Sequence, residues 1–164
     1  MCQSADLPSH YGVFGVKVRR RARITALQAL FEIDIARHHA EVVLEQRLDF
    51  AALPESGAAF VRQLVLGVLA YLPELDRLIG HYAPEWPVGQ LAVIDRNILR
   101  IALFELGVVG TPLKVAINEA VELAKVFGSD SSPRFVNGVL GSAVAQWEKW
   151  APKLAAAGEA ERKA

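Results

Sequence analysis

A chain of 164 residues with 52% hydrophobic residues and a mean hydropathy of +0.25 is not a disordered polymer, and at this length roughly 70% of the unfolded surface can be buried without a covalent staple. Its 18 basic and 18 acidic residues cancel, which excludes a polycation and confines any nucleic-acid site to a local patch. The single cysteine, Cys2, excludes an internal disulfide framework and a cysteine-rich metal site.

Residues 1–16 read as a flexible leader. They are no signal peptide, because Asp6 and Pro8 interrupt them and the basic cluster follows instead of preceding an apolar stretch. The segment KVRRRARITALQALFEIDIA, residues 17–36, then puts Lys17, Arg19, Arg20, Arg21 and Arg23 within seven positions with no acid among them. From Ile24, Leu27, Leu30, Phe31 and Ile35 recur at amphipathic-helix spacing, which sets the arginines at a helix N-terminus. Each costs a few tenths of a kcal/mol there against the macrodipole. Phosphates would satisfy both these side chains and the first-turn N–H groups; the competing reading is a solvated basic leader.

His38-His39 closes this helix, and a short one covers about 41–48. PESG at 54–57 opens a longer helix whose apolar face holds Phe60, Leu64, Val65, Val68, Leu69 and Leu72. Its run from Leu64 to Leu72 is about half of a membrane span, and a reducing cytoplasm is the expected location. Pro73 fits the first position of a further helix. APEWPVGQ, residues 83–90, reads as a boundary between two halves. Leu91 to Leu106 is a strongly apolar helix in which Asp95, Arg96, Arg100 and Glu105 are expected as rim charges, or Asp95 as a partner contact. Gly107 and Gly110 end it. Another helix runs from Pro112 to Phe127 with Gly128 as its C-cap and Asn118 placed for a specific hydrogen bond. Ser132 is the expected N-cap of a last helix to about Trp150, and Pro152 opens a tail, 151–164, expected to fray.

With no period-two segment, the fold class is all-α: six to seven helices in two packed bundles. The domain spans 17–150, with subdomains of about 17–82 and 91–150. There is no phosphate loop and no GxGxxG, and the four histidines lack metal-ligand spacing. Cys2 lies too near the chain start to sit in a pocket as a nucleophile. No catalytic site, metal or cofactor is expected.

Three blocks, RRRARITALQALFEID, IDRNILRIALFEL and PLKVAINEAVELAKVFGSDSSPRFVNGVLGSAV, resemble the NusB family of bacterial transcription antitermination factors, in order from about Arg19 to Val144. The resemblance implies a helical, non-catalytic protein that binds the boxA element of ribosomal RNA leaders together with a NusE-type small-subunit ribosomal protein, within an RNA polymerase antitermination complex. It implies RNA contacts at Arg19, Arg20, Arg21, Arg23, Gln28, Lys114, Phe127, Arg134 and Phe135, with core packing as the competing reading for the two phenylalanines. Phosphates suit the basic residues, and unstacked bases suit the rings. The implied partner contacts are Phe31, where the family often carries tyrosine, and Asp95. Pro133 also departs from the family pattern. Two alternatives stand beside this reading. One is a homodimeric helical scaffold whose arginine surface is occluded and binds no RNA. The other is the helical domain that precedes RNA cytosine methyltransferase domains, which would need a cofactor domain and more cysteines.

Overall fold

The computed structural model describes residues 7–164, with side chains described from Lys17 onward. Those residues form eight α-helices and no strand: α1 Leu7–Ala36, α2 Ala40–Ala51, α3 Glu55–Ala70, α4 Leu72–Tyr82, α5 Val93–Phe104, α6 Leu113–Phe127, α7 Ser132–Ala145 and α8 Trp147–Lys163. The class is the all-α one that the periodicity implies. No single helix among the described residues is long and apolar enough to cross a membrane.

The first difference from expectation lies in α1. It begins at Leu7, so all but residues 1–6 of the segment read as a leader is helical, and 1–6 lie outside the described residues. The arginines are therefore about three turns inside the helix. They lie beyond the reach of the N-terminal dipole and have no free first-turn N–H groups beside them. Ala22, Ala26, Leu27, Ala29 and Leu30 are buried along α1, and this stripe lays it against α2, α3 and α5.

Helix α5 is the central element. Ile98, Leu99, Ile101, Ala102, Leu103 and Phe104 are all buried, and α1, α3, α4, α6 and α7 pack around it. The 83–90 connection is a turn followed by a short 3-10 helix, Val88–Gln90. Since α5 touches helices from both sides of that connection, one contiguous core runs through the chain. Tyr71 separates α3 from α4 at a bend of 76°, and Pro73 sits in the first turn of α4, where its missing N–H costs nothing.

α5 runs into a single π turn, Glu105–Val109, in which the Gly110 N–H reaches back to the Glu105 carbonyl at 2.9 Å. Gly110 ends it with φ +82°, a conformation glycine adopts without strain. Gly128 does close α6, but with extended backbone. It is glycine because a Cβ there would collide with Ser132. Ser132 is itself the first residue of α7, not its N-cap, and its Oγ accepts the Ser129 N–H at 2.9 Å.

The helix expected over 132–150 is broken at Gln146, which raises the count to eight. Residues 151–164, expected to fray, are helical to Lys163. The break turns two indoles inward: Trp147 Nε1 donates to the Leu106 carbonyl at 3.0 Å and Trp150 Nε1 to the Ala143 carbonyl at 2.8 Å. Trp150, Ala151, Leu154 and Gly158 are buried on one face, and this burial outweighs the single hydrogen bond that Pro152 removes. At Gly158 the helix meets the Tyr71 hydroxyl so closely that a Cβ would overlap it. Gly158→Ala is expected to lower the unfolding free energy in urea by about 1–3 kcal/mol; an unchanged midpoint would mean that α8 does not hold this position.

Candidate nucleic-acid interface

At 100° per residue, four neighbouring arginines on α1 point toward different helices. Arg19 is exposed, with its guanidinium 4.4 Å from the centroid of the Phe60 ring on α3, a cation–π contact that steadies it without neutralising it. Arg21 is exposed and donates to the Ala51 carbonyl at 3.0 Å, at the C-terminus of α2, where a positive charge is favourable.

Arg20 turns toward α6 and grips the Glu119 carboxylate with two bonds of 3.1 and 2.8 Å, while half of its side chain remains exposed. The hydrogen bond and charge of Glu119 push the Arg20 pKa up.

Arg23 does not belong with these three. It is 3% exposed, and its guanidinium makes bonds of 2.9 and 2.7 Å to Glu105, itself 1% exposed. Thr111 Oγ1 donates to the same carboxylate at 3.0 Å. Four residues on from Arg19, it faces the α5–α6 junction, where its guanidinium is held by Glu105 beneath the surface and not free beside the other three.

Between α1 and the start of α6, Arg19 and Arg23 border an open cleft of about 400 Å³, whose lining also includes Thr111, Pro112, Val115 and Glu119. Lys114 is exposed in the first turn of α6, which opens at this cleft. With Arg19 exposed on one wall and a helix N-terminus beside it, this partly apolar cleft can receive a phosphate or a nucleotide.

The other candidates are not gathered here. Gln28 is half-buried about two turns along α1 from Arg21. Phe127 ends α6, about 20 Å from Lys114 at 1.5 Å per residue, and packs partly buried against the core, as does Phe135. Arg134 is exposed in the first turn of α7. Arg134 and Phe135 line a second cleft of about 270 Å³ with Tyr82 and Trp86.

The DRNILR segment of α5, expected at a rim, is largely buried. Asp34 of α1 accepts two bonds from Arg96, both 2.8 Å, one from Asn97 at 3.0 Å and one from Arg100 at 3.1 Å. Arg100 also holds Asp76 of α4 with bonds of 2.8 and 2.9 Å. Burial pushes the Asp34 pKa up, but these hydrogen bonds and charges outweigh it and leave the carboxyl below its ordinary value. Asn97 is thus the amide with a specific role; Asn118 is exposed and forms no side-chain hydrogen bond among the described residues. Phe31, half-buried, lies one turn before Asp34, and Asp95 directly precedes Arg96, so both flank the α1–α5 seam. Asp95 is 8% exposed, and its Oδ1 is the one buried side-chain oxygen or nitrogen without a partner among the described residues.

Glu105, Glu119, Asp34 and Trp86 were not singled out from the sequence as site residues. The carboxylates carry no local signal, since their partners lie 62 to 99 residues away. Trp86 sits within the proline-rich stretch that reads as a boundary, and an aromatic between two prolines is its only signal.

Comparison with known proteins agrees with this architecture. A sequence model of the NusB family matches residues 20–145. A transcription antitermination protein NusB from Roseiflexus sp. (strain RS-1) is 50% identical over 135 residues, which is 80% of this chain and 95% of the relative. The structure of T. maritima NusB superposes with a TM-score of 0.72 at 36% identity, covering 76% of this chain and 88% of the other. A structure of the antitermination factors NusB and NusE in complex with dsRNA gives a TM-score of 0.71 over 77% of this chain and 95% of that one. At 22% identity it shows the shared fold alone.

Proposed function

Because the chain belongs to the NusB family, we propose that it is an RNA-binding transcription antitermination factor, working in the cytoplasm and without catalytic activity. Its RNA is a boxA-type element of ribosomal RNA leaders. It takes this RNA together with a NusE-type small-subunit ribosomal protein, and the pair joins the antitermination complex on RNA polymerase. The observation that carries the reading is the row of exposed cations Arg19, Arg20 and Arg21 on a helix already formed, with Arg19 lining a cleft at the start of α6.

In this mechanism Arg19, Arg21 and Lys114 take phosphates. Arg20 does so in competition with Glu119, and the RNA runs along α6 toward Phe127, Arg134 and Phe135. Because the arginines sit on an ordered helix, binding does not carry the cost of folding a disordered arm. Gln28 lies on the same helix and contributes a polar edge. The NusE-type partner docks over Phe31 and Asp95. A donor from the partner to Asp95 Oδ1 would relieve a buried unsatisfied oxygen, whose cost is about 1–3 kcal/mol.

The test is the salt dependence of binding to a short single-stranded boxA-type RNA, with the NusE-type partner present. Single-stranded RNA gives a slope of roughly −0.7 in log K against log salt per phosphate contact, so about four contacts give a slope near −3. The double variant Arg19→Ala, Arg21→Ala is expected to halve it. Equal slopes would remove this surface from the interface, and a wild-type protein that binds no RNA even with the partner would leave the family likeness to describe the fold alone.

A further inference from the structure

The cleft between the α4–α5 connection and α7 holds a residue that the reading above leaves unused. Trp86 is 62% exposed, whereas the indoles of Trp147 and Trp150 are turned inward by hydrogen bonds to backbone carbonyls. Across the cleft from the connection stand Arg134 and Phe135, and Tyr82 and Leu91 complete its wall.

We propose that this cleft is a nucleobase pocket for the same single-stranded RNA, with Trp86 as the stacking face and Arg134 as the contact for the adjoining phosphate. The proposal rests on the RNA-binding reading and extends it to one base-sized site. Three observations carry it.

The first is size and lining. About 270 Å³ falls just under the range of small-molecule clefts, which begins near ~300 Å³, and so admits one ring system. Its walls are aromatic and cationic together, the combination that holds unstacked bases in single strands without demanding a particular base.

The second is preorganisation. Trp86 lies between Pro84 and Pro87, each fixing its own backbone φ. The connection is tied down by Ala83 N–H to the Ile79 carbonyl at 2.8 Å and Gln90 N–H to the Pro87 carbonyl at 2.8 Å. An indole presented on a braced turn gives up little conformational freedom when a base stacks on it.

The third is charge and continuity. Arg134 is exposed in the first turn of α7, where a phosphate would also meet the positive end of that fourteen-residue helix. Glu85, the one acid lining the cleft, repels phosphate from the opposite wall and so directs the backbone to the Arg134 side. Tyr82 donates its hydroxyl proton to Gln146 Oε1 at 3.1 Å, which leaves the phenol oxygen as an acceptor for a base amino group.

The experiment titrates the full chain with the single-stranded boxA-type RNA, reading tryptophan fluorescence and the anisotropy of labelled RNA in parallel. Trp86→Phe, which lacks the exposed indole, supplies the background from Trp147 and Trp150. The Trp86 signal is expected to quench along the same isotherm that anisotropy reports. Trp86→Ala should weaken binding about thirtyfold, the middle of the range for losing one base stack, with an unchanged salt slope. Trp86→Phe should retain most of the affinity, and Arg134→Ala should reduce the slope by about 0.7. Because Trp86 is exposed, an unchanged melting temperature accompanies these effects.

RNA binding by anisotropy with neither quenching nor loss in Trp86→Ala would overturn the pocket and leave the RNA reading intact. Quenching of Trp86 by the NusE-type protein without RNA would assign the cleft to a protein contact and overturn it too. No binding of RNA by the wild type, with the partner present, would remove the reading on which the pocket rests.

Discussion

Replacing Arg23 with alanine is expected to lower the unfolding free energy by about 3–5 kcal/mol, the cost of leaving one partner of a buried ion pair alone. Glu105 would keep only the Thr111 hydroxyl, with its carboxylate shut away from water. For a domain of this size that loss lowers the melting temperature by about 10 °C. Arg19→Ala, which removes an exposed side chain stacked over Phe60, should cost about 1 kcal/mol or less. The contrast between two arginines four residues apart is the discriminating result, and urea denaturation of both variants measures it. Replacing Arg23 and Glu105 together with methionine should recover most of the loss, because buried ion pairs often exchange for apolar side chains of similar volume at little cost. A destabilisation below 1 kcal/mol in Arg23→Ala would return Arg23 to the surface cluster.

Asp34→Ala is the second large effect. This one carboxylate receives Arg96, Asn97 and Arg100, and the two arginine side chains are only 12% and 9% exposed. Arg100 retains Asp76 as a partner, whereas Arg96 keeps only the Gly89 carbonyl. The expected loss is about 3 kcal/mol, at the lower end for a broken buried pair because Arg100 stays compensated. The acid limb carries an independent check. The folded-state pKa of Asp34 lies below its ordinary value, so its contribution is fully present above the unfolded carboxylate pKa of about 3.9 and is lost as pH falls through the lower folded value. Wild-type stability should therefore decline on acidification below about pH 4, and Asp34→Asn should show a shallower decline from a lower plateau. Identical acid limbs would mean that Asp34 is not the charged centre of the seam. Since Phe31 and Asp95 flank that seam, the alanine variant should also weaken docking of the NusE-type partner.

The two predictions show where local sequence signals end. Helix α1 was legible from Ile24 onward because its apolar spacing is a local pattern. Its true start at Leu7 was not, because the basic cluster hid the continuation behind it. The tail was misjudged for a related reason: AAAGEAERKA offers little apolar surface in itself, and only the fold reveals that Gly158 is the small residue that lets α8 close on Tyr71. The proline-rich connection, read as a boundary between two halves, is a turn and a short 3-10 helix beside one contiguous core, and its tryptophan acquires meaning only once α7 is placed opposite it.

What the sequence by itself determined is the all-α class, the position of most helix ends and the concentration of positive charge on one short stretch. These depend on periodicity, proline and glycine over a few residues, and the chain order of the three characteristic blocks points to the family. Tertiary structure alone decided which charges are free. Arg20, Arg21 and Arg23 are nearly equivalent as residues, yet one is gripped by a carboxylate 99 positions away, one rests on the end of α2 and one is buried against a carboxylate 82 positions away. A charge meets solvent or a counter-ion according to the helix packed across from it, and that neighbour is set by how the whole core closes.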